Sequence, residues 1–162
     1  MCQEHMFSAD MKQPAVEPLA GEGLSTEPPG TVRSALRRPY RPAQVREAVQ
    51  RAVCERCRAT HTPCDTDALA DALLVASELT TNAILHGGGI TDVRVDVAGP
   101  GVRVSVSDRS TELPVARPAA GPQGRLTPGG HGWPIVCLLS RDIRVRDLPT
   151  GGKCISALVP LP

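Results

Sequence analysis

Residues 77–89 read SELTTNAILHGGG, and the rest of the chain is best read outward from them. Glu78 and Asn82 stand four residues apart, so on a helix their side chains are neighbours on one face. Leu69, Ala72, Ala76 and Ala83 supply a second face, roughly opposite, suited to sealing against a core. Leu74, Val75 and Leu85 flank Asp71, Glu78 and Asn82 around the same helix. A polar stripe between apolar neighbours predicts the wall of a pocket; taken alone, the Glu78–Asn82 pair also reads as the solvated side of an amphipathic helix. The helix is expected to start near Thr66, capped by Asp65 or Thr66, and to end at the Gly87-Gly88-Gly89 run.

Upstream, PAQVREAVQRAVC (42–54) repeats Val45, Ala48, Val49, Ala52 and Val53 at helical spacing, with Pro42 suited to the first turn. Thr31 to Leu36 predicts a short strand before it. Downstream, DVRVDV (92–97) and VRVSVS (102–107) alternate strictly around a Gly99-Pro100-Gly101 turn, which predicts a hairpin with one buried, valine-lined face. Residues 109–130 are rich in Pro, Gly and Ala and predict a long, lid-like loop. Gly132 to Ser140 predicts a short apolar helix, and IRVRDL, a PTGG turn and KCISALV predict a second hairpin. This order of elements implies an α+β, two-layer α/β sandwich, with helices on one face of a mixed, mostly antiparallel sheet.

The length of 162 residues suits one domain, placed at 31–162, after an N-terminal tail at 1–30 whose Pro, Gly, Ser and Glu content predicts disorder. A net charge of +1 and 2% aromatic residues argue against a nucleic-acid partner, which would need a strong positive field and stacking platforms. The first twenty residues lack the basic start and apolar core of a signal peptide, and no later segment reads as an apolar run of membrane-spanning length, so a cytoplasmic location with no membrane partner is predicted. Six cysteines in that setting are expected to be thiols. Cys54, Cys57, His61 and Cys64 have the ligand types for a tetrahedral Zn²⁺; against this, Cys54 and Cys57 fall on the last turns of a helix, where Cys serves as a small apolar residue.

Three segments carry candidate chemistry. Glu78 can act as general base toward a hydroxyl, and the Asn82 amide oxygen can help hold Mg²⁺ among waters and phosphate oxygens. Asp108, at the end of a strand, can accept a hydrogen bond from an exocyclic amine such as that of adenine, although a strand-end Asp is also ordinary turn chemistry. The PGGHGWP run (128–134) opens directly into a helix, where glycines allow close approach and free N–H groups favour phosphate. It lacks a P-loop lysine and serine, and it lacks the first-strand setting of a dinucleotide fingerprint.

In this order, a helix with Glu and Asn, a strand ending in Asp, a loop, and Gly-x-Gly at a helix start resemble the N, G1 and G2 boxes of the GHKL ATPases, whose ATP-binding unit is the Bergerat fold. SELTTNAILHG is similar to the N box of the anti-sigma-factor serine/threonine kinases, and GGKCISALVP resembles their closing hairpin, so the resemblance covers about residues 31 to 160. It implies ATP and Mg²⁺ as cofactors, Glu78 as general base, Asn82 as the Mg²⁺ ligand, Asp108 as the adenine-reading carboxylate, and Gly130 and Gly132 on the phosphates. His86 falls where the family often has a basic residue, which implies a phosphate-side role. Ser110 and His131 complete the expected nucleotide contacts, with His131 reading also as a solvent-facing loop residue. Ser110 stands where many members have Gly, and Trp133-Pro134 replaces the usual small aliphatic pair. The implied function is to sequester a sigma factor and to phosphorylate a small antagonist protein, as a homodimer; the alternative is a non-catalytic, ATP-gated interaction switch.

Overall fold

Each valine pattern becomes the element that its period demands. The computed structural model describes residues 32–33, 36, 38, 40–114 and 132–162. The expected tail at 1–30 and most of the expected lid therefore lie outside the described residues. The elements are β1 (Val32–Arg33), α1 (Pro42–Thr60), α2 (Thr66–Leu85), β2 (Ile90–Ala98), β3 (Gly101–Asp108), α3 (Gly132–Leu139), β4 (Arg141–Asp147) and β5 (Lys153–Pro160).

The five strands form one sheet in the order β1-β2-β3-β5-β4, and every described pairing is antiparallel. Register aligns Val93 with Val106, Val95 with Val104 and Val97 with Val102, then Val104 with Ala157 and Val102 with Val159. These side chains share one face, and α1 and α2 pack on it. Burying each valine contributes roughly 1.5–3 kcal/mol, so the alternation sets both the register and the face that the helices cover. Arg94, Arg103, Ser105, Arg144 and Ser156 point to the other face, as period-2 geometry requires. The expected two-layer α+β sandwich is the fold that forms.

In α1 the buried stripe is Val45, Ala48, Val49, Ala52 and Val53, with Pro42 in the first turn. The Arg41 N–H donates to the Gln44 side chain at 3.1 Å, occupying the donor just before the helix. In α2 the cap is Asp65: its Oδ1 accepts from the N–H groups of Asp67 and Ala68, at 2.9 and 2.8 Å. The buried stripe of α2 is Ala72, Val75, Ala76, Leu79, Thr80 and Ala83. Val75, expected beside the polar stripe, is instead fully buried, because the sheet draws a wider arc of the helix into the core than the alanines alone marked.

Two expectations are corrected. At 20 residues and a mean hydropathy of 1.3, α2 is long and apolar enough to cross a membrane by length and composition; in the fold the stripe through Ala72, Ala76, Leu79 and Ala83 is buried, while Leu74, Ile84 and Leu85 are exposed. Cys57 and Cys64 are not thiols but a disulfide, with Cα atoms 5.6 Å apart. The left-handed residue His61 ends α1 and folds the chain back so that residue 64 returns beside residue 57. That bond removes two of the four ligands considered for zinc, and among the described residues no group of three or more His, Cys, Asp or Glu is placed to hold a metal ion.

Candidate functional site

The end of α2 brings the three segments together. The N–H groups of His86 and Gly87 both donate to the Asn82 carbonyl, at 2.9 and 3.1 Å, and those of Gly87 and Gly89 to that of Ala83. Gly88 and Gly89, at φ 70° and 103°, then turn the chain into β2, a conformation that glycine adopts without the cost a Cβ would bring. The Arg109 N–H donates to the Gly87 carbonyl at 2.8 Å, tying the helix end to the end of β3. A Cβ on Gly87 would overlap the Asp108 carboxylate, so this glycine sets how closely helix and strand approach.

Between them lies a cleft of about 330 Å³. Asn82, His86, Asp108, Glu112 and Lys153 supply its polar groups, while Leu85, Leu113, Pro114, Trp133 and Ile155 supply apolar walls, and Gly132 sits at its edge. The predicted residues Asn82, His86, Asp108 and Gly132 thus share one site. Glu78 does not line the cleft; its carboxylate lies against Gly132, where a Cβ would overlap it. Ser110 contributes backbone: its N–H donates to Asp108 Oδ1 at 2.9 Å, while its hydroxyl accepts from the Glu112 N–H. The predicted contacts of Gly130 and His131 fall outside the described residues. Trp133, which stands with Pro134 in place of the usual small aliphatic pair, is half-buried in the cleft wall and packs on the core.

Lys153 was not singled out from the sequence. It is 4% exposed beside Asp108 at 3%, and its Nζ donates to Asp108 Oδ1 at 3.0 Å and to the Ser110 carbonyl at 3.2 Å. The signal was present in strand parity: Lys153, Ile155, Ala157 and Val159 alternate onto the inner face of β5, which puts an ammonium group where the pattern calls for an apolar residue.

The Asn82 side chain carries the site's unfilled valence. Its Nδ2 is buried with no hydrogen-bond partner, and an amide so placed is costly unless a ligand completes it. Turned about its amide, the same group offers an oxygen. Mg²⁺ is held by few protein oxygens together with phosphate oxygens and waters, so Asn82, with the Glu78 carboxylate one turn away, fits that requirement without a preformed cluster of acidic residues.

A family model described as a histidine kinase-like ATPase domain matches residues 39–158, which runs from α1 into β5 and takes in all of the cleft. No curated protein matches the chain.

Proposed function

The chain belongs to the histidine kinase-like ATPase domain family, the GHKL type of ATP-binding domain, and from that premise we propose that it is an anti-sigma-factor serine/threonine kinase. In this reading it works in the cytoplasm as a homodimer, sequesters a sigma factor, and transfers the γ-phosphate of ATP to a serine or threonine of a small antagonist protein. The observation that carries the nucleotide part is the convergence of the orphaned Asn82 amide and the Asp108 carboxylate on one cleft. The kinase part is supported by the resemblance of SELTTNAILHG to the N box of those kinases.

The residues divide the work by position. Asp108 and the apolar walls hold the base, while Asn82 and the start of α3 at Gly132 meet the phosphates. Asn82 would hold Mg²⁺, which screens charge on the phosphate oxygens. Glu78 accepts the proton of the attacking hydroxyl as the new P–O bond forms and ADP leaves. Phosphoryl transfer asks little covalent chemistry of a protein, so positioning and charge supply most of the acceleration.

A second reading, a non-catalytic switch in which nucleotide occupancy gates a protein interface, is favoured by the seating of the Glu78 carboxylate against Gly132 rather than in the cleft. Incubation with labelled ATP and candidate antagonists separates the two. The kinase reading expects phosphoserine or phosphothreonine on one antagonist, lost in Glu78→Gln with ATP binding retained. Tight ATP binding with no transfer to any cognate antagonist would establish the switch.

A further inference from the structure

The floor of the cleft holds a charge pair that stability alone does not explain. Asp108 and Lys153 lie side by side at the end of the β3–β5 ladder, on the sheet face whose other buried residues are valine, isoleucine and alanine. Desolvating two such ions costs several kcal/mol each, and their attraction often does no more than offset this. An apolar pair at the same register would serve the core as well. What the pair adds is a hydrogen-bond acceptor and a hydrogen-bond donor, held together and facing the space between Leu85, Trp133 and Ile155.

An ammonium group has three N–H donors. The Nζ of Lys153 spends two of them, on Asp108 Oδ1 and on the Ser110 carbonyl. Asp108 Oδ1 in turn accepts from Lys153 and from the Ser110 N–H. These bonds fix both side chains, so neither swings when a ligand arrives. The remaining donor of Lys153 and the Oδ2 of Asp108 are left for it.

We propose that Lys153 is a base-reading residue, donating its third N–H directly to N1 of adenine while Asp108 accepts from the neighbouring exocyclic amine. The inference rests on the nucleotide-binding reading above and extends it to a residue outside the motifs that suggested it. An adenine edge offers a donor and an acceptor side by side, the exocyclic amine and N1 being joined through C6, which is the complement of a carboxylate beside an ammonium. A flat purine also suits a slot with Trp133 and Ile155 in its walls and a polar pair at its end. Because the donor is charged and desolvated, its hydrogen bond lies in the stronger class.

The test uses the full chain and calorimetry in magnesium buffer with ATP and with 1-deaza-ATP, in which N1 is replaced by C–H and the exocyclic amine is kept. Leaving a buried charged donor unpaired is expected to weaken binding of 1-deaza-ATP by about ten- to a hundred-fold relative to ATP. In Lys153→Met the two nucleotides are expected to bind within about two-fold of one another, both more weakly than ATP binds the unaltered protein. Should that variant fail to fold, the comparison on the unaltered chain decides alone. Equal affinity of the unaltered chain for the two nucleotides would overturn the role of Lys153 and leave nucleotide binding intact. No uptake of either would overturn the nucleotide reading itself, and this inference with it.

Discussion

At residue scale the site depends on what is missing from Gly87. Its N–H bonds back to the last turn of α2 while its Cα faces the Asp108 carboxylate, so any side chain there must push apart the two elements that make the cleft. Gly87→Ala is expected to cost about 1–3 kcal/mol, the usual range for overpacking a close contact, and to weaken ATP binding because Asp108 moves first. Urea unfolding reads the stability, and calorimetry on the folded fraction reads the affinity. Asp142 is a second residue with a defined signature. It sits at φ 46° in β4, and a hydrogen bond from Arg144, then one from Arg103, holds its carboxyl below the ordinary aspartate value of 3.8. A depressed carboxylate contributes stability above its unfolded pKa and loses it as pH falls through the lower folded value, so the contribution is intact at neutral pH and disappears only below about pH 4. A carbon-detected NMR titration should find Asp142 protonating below 3.8 in the folded protein, with the midpoint rising in Arg144→Gln. An ordinary midpoint in the unaltered chain would show that the two arginines do not hold the carboxylate in solution.

At the scale of elements, the helix that carries Asn82 begins with a cap rather than with packing. The Asp65 carboxylate satisfies two N–H groups that the first turn of α2 leaves without helical partners. Asp65→Ala is expected to lower stability by about 1 kcal/mol, a shift in the urea midpoint without a change in slope, and to leave the cleft at the other end of the helix unaffected. The elements were largely legible because each buried face repeats at its own period: Val45, Val49 and Val53 with their alanines for a helix, Val93, Val95 and Val97 for a strand. The same logic marked Asn82 and Asp108, since a polar residue near an element's end beside an apolar face stands out from its pattern, whereas His86 was implied only by the family resemblance. Tertiary facts were not legible. The Cys57–Cys64 bond depends on how the chain turns at His61, and the spacing of those cysteines suits a metal site as well as a disulfide. The role of Gly87 depends on a strand more than twenty residues away in the chain. Lys153 could have been found by parity, but a lysine in an apolar row reads as an error of register until its partner Asp108 is seen opposite it.

At the scale of the whole molecule, the cleft is where the two layers are joined by polar groups rather than by valines. The helix layer contributes Asn82, His86 and, from α3, Trp133; the sheet layer contributes Asp108, Lys153 and Ile155. A ligand seated there touches both layers and has no equivalent site in the unfolded chain, so its binding free energy adds to the stability of the fold. At a free ATP concentration a hundred times Kd the gain is about 2.7 kcal/mol, a rise of several degrees in Tm for a domain of this size. Because Asn82 is the cleft-lining residue with a buried polar atom that lacks a partner, it is the side chain through which the phosphate end of the ligand should be felt. Asn82→Ala removes that orphan, so the variant without ligand is expected to match or exceed the stability of the unaltered protein, since a buried donor with no partner costs about 1–3 kcal/mol. The stabilisation by ATP with magnesium should shrink in the same variant, and chelation of magnesium should reduce the unaltered protein's gain toward the variant's. Differential scanning calorimetry of both proteins, with ATP and either magnesium or EDTA, measures all of these together. If Asn82→Ala left the ATP-dependent rise in Tm unchanged, the phosphate end would not lie at Asn82, and the convergence of helix and strand on the cleft would serve the fold alone.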